Sequence, residues 1–199
     1  MRLGIYGGTF SPPHMGHCLA ARAFCEQMRL DKLLIIPANL PPHKHFSEEA
    51  GALDRIEMCT LAFSDIERAT VSDMEITRGG KSYTYLTVEE LSVLGDELFL
   101  LCGTDMILTF DEWKNFERIF ELATVCYLRR ESDVNIGAQI EKKVAEYREK
   151  YGARICAVDH TVLELSSTQI RAAVHDTADT SQSLDGRVLE YIRARGLYR

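Results

Sequence analysis

Gly7-Gly8-Thr9-Phe10-Ser11-Pro12-Pro13-His14-Met15-Gly16-His17 stands between a short apolar run, Leu3 to Tyr6, and a stretch of helical periodicity from His17 to Met28. A strand, a glycine turn and a helix in that order open a parallel α/β sheet, with the turn at the carboxyl end of the first strand. Gly7 and Gly8 let backbone amides come close to a ligand. His14 and His17, three apart at a helix start, project the same way, and the helix N-terminus adds partial positive charge. These are the ingredients of a polyphosphate pocket. The segment carries neither G-x-x-x-x-G-K-[ST] nor G-x-G-x-x-G, which speaks against a kinase or a dehydrogenase. The plain alternative is a surface turn whose imidazoles bond the backbone. A zinc site would need a third ligand, for which only His43 and His45 offer themselves.

Beyond this segment, apolar runs alternate with helical periodicity. Strands are expected at Leu3 to Tyr6, Lys32 to Ile36, Thr70 to Ile76, Glu97 to Cys102, Thr124 to Leu128 and Arg154 to Val158. Helices are expected at His17 to Met28, Leu53 to Phe63, Thr84 to Leu94, a breakable stretch from Met106 to Leu122, Ala138 to Lys150, Thr168 to Val174 and Leu184 to Arg195. This order predicts an α/β fold: a Rossmann-like doubly wound parallel sheet with helices on both faces, one domain over 1–199 with a C-terminal helical part from about 165 to 199. The proline-rich stretch Pro37 to Gly51 reads as a loop near the carboxyl end of strand two, and His175 to Asp185 as a polar connector without chemistry.

Composition bounds the function. A formal charge of −7 disfavours nucleic acid and anionic membrane as partners, and no apolar run reaches the about 20 residues that span a bilayer. Six scattered cysteines without a C-x-x-C pair read as buried thiols of a cytoplasmic protein, and the start of the chain carries no secretory signal. No heptad pattern or self-complementary patch fixes a homo-oligomer.

A second constellation lies near the other end: Leu165-Ser166-Ser167-Thr168-Gln169-Ile170-Arg171. Ser166 or Ser167 can cap a helix, after which first-turn amides and the Thr168 hydroxyl point at an anion and Arg171 follows one turn on. Read alone it is also ordinary helix-start chemistry.

The first segment resembles the G-T-F-D-P-x-H-x-G-H signature of the nucleotidylyltransferase superfamily, with Ser11 in the place of the usual aspartate. The second resembles the superfamily's I-S-S-T-x-I-R. Pro37 to Lys44, Arg55-Ile56-Glu57-Met58, Glu75 to Thr84, Gly103-Thr104-Asp105, Trp113 and Tyr191 to Tyr198 extend a resemblance to the bacterial nicotinate mononucleotide adenylyltransferases over nearly the whole chain. That resemblance implies adenylyl transfer from ATP to nicotinate mononucleotide in NAD synthesis. It assigns His14, His17 and Arg171 to catalysis, and Gly7, Gly8, Thr9, Phe10, Gly16, Gly103, Asp105, Ser167 and Thr168 to ATP. Lys44, Tyr83, Thr84 and Trp113 fall to the pyridine nucleotide. Mg²⁺ would ride mainly on the ATP phosphates, without a dedicated protein metal site.

Each of these residues also has a local reading. Lys44 is a loop cation able to reach phosphate or simply solvated. Gly79-Gly80 before Ser82-Tyr83-Thr84 exposes amides suited to a carboxylate, or is an ordinary turn and cap. Trp113 can stack on a pyridine ring or fill a core. Asp105 is placed for a switch-point ligand or is a helix cap, a role Thr104 could also serve. A phosphopantetheine adenylyltransferase, a cytidylyltransferase and a noncatalytic nucleotide sensor are the rival readings.

Overall fold

Successive residues of a strand face opposite sides of its sheet, so a strand buried on both sides must be apolar throughout yet send alternate residues to two cores. The chain does this along four central strands. In the computed structural model, which describes residues 1–41, 50–93, 97–129, 134–161, 163, 165–176 and 178–199, these are β1 (Arg2–Gly8), β2 (Lys32–Pro37), β4 (Glu97–Cys102) and β5 (Ala123–Arg129). β3 (Ala69–Val71) and β6 (Ile155–Asp159) flank them, all six strands are parallel, and the order is β3-β2-β1-β4-β5-β6. The doubly wound fold is as expected.

One core holds Leu33, Ile35, Phe99, Leu101, Cys126 and Val158 under α1 (Met15–Gln27) and α2 (Ala52–Phe63). It also takes in Ile170 and Ile192 of two C-terminal helices, α8 (Ser167–His175) and α9 (Gly186–Arg195). The opposite core holds Leu3, Ile5, Leu34, Ile36, Leu98, Leu100 and Val125 under α4 (Thr84–Ser92), α5 (Thr104–Leu108), α6 (Phe116–Leu122) and α7 (Val134–Tyr151). A side chain at Gly4 would collide with Leu30, with Leu33 at 2.9 Å and with Phe24 at 3.1 Å, so the glycine lets α1 and its following turn lie directly on β1.

The third strand is shorter than expected. Ser72 N–H makes a last bond to the Ile35 carbonyl at 2.9 Å, and Met74–Arg78 turns into a short helix, α3. Polar chemistry outweighs the apolar look of Val71 to Ile76. Glu75, 7% exposed, accepts from Thr87 Oγ1 at 2.6 Å, and Thr87 accepts from Arg78 at 2.7 Å. Glu75 and Arg78 share one face only with helical spacing. The break foreseen between Met106 and Leu122 is present as well. α5 gives way to a 3-10 turn (Phe110–Glu112), and Asn115 takes the left-handed conformation at φ 53° before α6.

Between β1 and β4 the chain winds off in opposite directions, which opens a crevice at their carboxyl ends. The β1–β4 register, carried two residues further, sets Gly103 beside Gly8. Gly4→Ala is expected to lower unfolding free energy by about 1–3 kcal/mol, the scale of core overpacking, measured by urea titration; an unchanged midpoint would contradict the close packing.

Candidate active site

The turn after β1 is unusually constrained. Phe10 adopts φ 49°, its ring lies 2.8 Å from where a Cβ of Gly8 would stand, and it packs edge-on to Tyr6, His17 and Phe63. Gly8 is therefore small because an aromatic ring covers it, while Gly7 opens onto solvent. The Ser11-Pro12 peptide is cis, and Ser11 is buried with Oγ 3.0 Å from the Tyr198 hydroxyl. Serine in the aspartate position thus ties the turn to the C-terminal segment.

His14 caps α1, and its backbone N–H donates to His17 Nδ1 at 3.1 Å. An accepting Nδ1 puts the His17 proton on Nε2, making that atom a donor. The two rings stack with centroids 3.7 Å apart. His14 is 8% exposed, its Nδ1 has no hydrogen-bond partner among the described residues, and burial pushes its pKa down to about 4. At neutral pH His14 is an uncharged ring. The helix-end reading narrows too, because Met15 N–H is taken by the Ser183 carbonyl at 2.9 Å and His17 N–H by the His14 carbonyl at 2.8 Å. The connector expected to be idle supplies the first of these acceptors.

The second motif docks on the first. Ser166 is the cap of α8 and forms a capping box with Gln169. Ser167 is thereby released to donate its hydroxyl to the Pro12 carbonyl at 3.0 Å. Arg171 donates to the Ser11 carbonyl at 2.8 Å and to Thr168 Oγ1 at 3.2 Å, and Thr168 is exposed. His14, His17, Ser167, Thr168 and Arg171 therefore border one turn, with Gly16 packed against the His14 ring. Gly103, the cap of α5, and exposed Asp105 lie across the crevice. Thr104 is no cap: it is buried and donates to the Leu128 carbonyl on β5.

The pyridine-side residues gather on neighbouring loops. Gly79 and Gly80, at φ 73° and 67°, make the left-handed turn that brings Lys81 into a bridge with Leu40, after which Ser82 Oγ accepts from Asn39 N–H at 2.8 Å. Tyr83 then caps α4 and Thr84 begins it. Trp113 is half-buried and stacks on Phe110 at 4.7 Å with an 18° tilt, so it is neither wholly core nor wholly exposed. Lys44, with His43 and His45, lies outside the described residues.

Sequence reading gave no role to Arg55. It is 1% exposed and donates to the Thr9 carbonyl at 3.1 Å and the Ala38 carbonyl at 2.6 Å, bracing the turn after β1 against the loop after β2. Its signal was available, since an arginine three and four residues before Met58 and Cys59 sits on the apolar stripe of α2.

With this geometry in view, the comparisons are specific. A cytidylyltransferase-like family model matches residues 5–173. A probable nicotinate-nucleotide adenylyltransferase of Desulfatibacillum aliphaticivorans is 37% identical with the whole of both chains covered, and one of Exiguobacterium sibiricum is 37% identical over 87% of this chain and 86% of its own. The chain belongs to the cytidylyltransferase-like family, among the nicotinate-nucleotide adenylyltransferases. The family fold extends to a Plasmodium falciparum nicotinic acid mononucleotide adenylyltransferase complexed with NaAD. That structure is 16% identical, has a TM-score of 0.75, and is covered over 97% of its length by 99% of this chain. A putative family member from Vibrio parahaemolyticus gives 0.69 at 20% identity, covering 100% of this chain and 95% of that one.

The depressed His14 pKa fixes a pH dependence for this family member. The unfolded chain takes up the His14 proton near pH 6.5 and the folded chain only near 4, so this contribution is complete above pH 6.5 and is lost as pH falls toward 4. The loss is at most about 3–4 kcal/mol. His14→Asn is expected to flatten that part of the stability profile, measured by denaturant titration at stepped pH; an unaltered slope would mean that His14 titrates normally.

Proposed function

We propose that the protein joins ATP and nicotinate mononucleotide, forming nicotinate adenine dinucleotide and releasing pyrophosphate, a step in making NAD. The observation that carries this reading is the docking of the two motif segments on one turn at the switch point, where Arg171 and the stacked His14–His17 pair meet. Relatives bearing that activity in their names, aligned along the whole chain, support it.

In this reaction an oxygen of the mononucleotide's 5′-phosphate forms a bond to the α-phosphorus of ATP. The bond from that phosphorus to the oxygen bridging it to the β-phosphate breaks, and pyrophosphate leaves with the electron pair. The nucleophile is already anionic, so the protein needs no covalent intermediate. Its tasks are alignment and stabilisation of the charge growing on pyrophosphate. His17 Nε2–H, His14, the Thr168 hydroxyl and the Arg171 guanidinium are the donors for that charge. Ser167 acts by holding the turn, and Gly7 to Phe10, Gly16, Gly103 and Asp105 border the ATP. Mg²⁺ enters with ATP as part of the substrate.

At the other end, Phe110 covers one face of the Trp113 indole, and we place the pyridine ring on the opposite face. The nicotinate carboxylate falls to the amides at Tyr83 and Thr84, where α4 begins, and Lys44 to the mononucleotide phosphate. Six free cysteines and a formal charge of −7 suit a cytoplasmic enzyme acting on small substrates. Among the described residues no helix is long and apolar enough to cross a membrane.

Pyrophosphate release from ATP and Mg²⁺ is expected with nicotinate mononucleotide in strong preference to nicotinamide mononucleotide or phosphopantetheine. Release with phosphopantetheine alone would overturn the acceptor, and silence with all three would favour a nucleotide-binding sensor. His17→Ala is expected to cut turnover at least about a hundredfold while leaving the fold intact by circular dichroism; near wild-type turnover would remove His17 from the chemistry.

A further inference from the structure

We infer that the Lys114 ammonium strengthens the preference for the acid over the amide form of the pyridine nucleotide, beyond what the backbone amides at the start of α4 supply. The inference rests on the acceptor proposed above and concerns one residue of its pyridine end.

Lys114 directly follows Trp113 in a turn with little freedom. On one side Asp111 is clamped by Lys143 Nζ at 2.6 Å and by the hydroxyl of Tyr147, a fully buried ring, at 2.9 Å. On the other side Asn115 is held in the left-handed conformation as the cap of α6. A lysine stem is ordinarily free to swing, but here Nζ sits 4.5 Å from the centroid of the Tyr83 ring. That cation–π contact restrains the ammonium. Tyr83 is the residue whose neighbouring amides open α4, so the one ring joins the cation to the donors proposed for the nicotinate group.

Two amide donors already favour a carboxylate, whose two oxygens accept from both, over a carboxamide, whose NH2 group accepts from neither. The two groups are planar and nearly the same size, and they differ in addition by one unit of charge. A cation a few ångströms away reads that difference directly, and across a partly solvated gap the effect on binding is about three- to thirtyfold. Asp111 does not cancel it, being paired with Lys143. Lys81, two residues before Tyr83, is a second cation near this edge among the described residues, and like Lys114 it is exposed.

The test compares kcat/KM for nicotinate and nicotinamide mononucleotides, at saturating ATP, in the full-length wild type and in Lys114→Gln, Lys114→Arg and Lys81→Gln. In Lys114→Gln the value for the nicotinate form is expected to fall about three- to thirtyfold while that for the amide form stays within about twofold, and KM for ATP holds. Lys114→Arg keeps the wild-type ratio, and the wild-type ratio shrinks as salt rises from about 50 to 500 mM. Equal losses for both acceptors would overturn the inference, since Lys114 would then merely order Tyr83. An unchanged ratio would overturn it too, as would a drop of the same size in Lys81→Gln. A wild type silent with both pyridine nucleotides is a different failure, one that removes the acceptor assignment and this inference with it.

Discussion

The hydrogen bonds that Arg171 and Ser167 donate to the Ser11 and Pro12 carbonyls reach across 160 and 155 residues of sequence, and the functional edge of the sheet depends on them. Residues 9 to 14 leave the β1 ladder and are largely buried before α1 begins, so their peptide groups must find partners outside regular secondary structure. Arg171 and Ser167 supply donors from α8, and Tyr198 engages the Ser11 side chain. The same contacts that satisfy the turn carry Thr168 and Arg171 to the rim of the crevice. Stability and site assembly are here one set of bonds, so weakening them for flexibility would also scatter the donors.

Arg55 performs the matching task on the other side. A guanidinium this deeply buried loses most of its hydration, and burial lowers its pKa even though it remains charged. Its bonds to the Thr9 and Ala38 carbonyls recover part of that loss and fix the spacing between the loops after β1 and β2. From Ala38 the links continue through Asn39 and Ser82 to Tyr83. Turn, brace and the loop before α4 form one connected set of hydrogen bonds, which holds the edges of the crevice in a fixed relation.

The sheet was legible because its cause is local: apolar runs of strand length, punctuated by glycine, read the same alone as in the fold. The helices were legible for the same reason, down to the break before α6. The third strand was overextended because the pairing of Glu75 with Thr87 and Arg78 spans α3 and α4, and no window of sequence displays it. Within the site, His14, His17 and Arg171 could be picked out as residue types, but their states could not. The neutrality of His14 comes from burial, and the docking duty of Ser167 from which serine wins the cap. Arg55, though part of the resemblance, and Lys114 received no role because a charge gains meaning only from the carbonyls or ring that the fold sets beside it.

Tyr198 lies far down the chain from the turn it touches, and so do α8 and α9. As a nascent chain emerges from the ribosome, β1 through β6 can pair while the turn at Ser11 still lacks its donors. The sheet is thus available before the reaction centre is. A protein arrested, clipped or truncated upstream of residue 165 would lack the donors of the Ser11 turn and also the apolar faces of α8 and α9 that close one of its two cores. The last residues to be made are in this sense the ones that finish both a core and the crevice, so the chain closes on its own beginning.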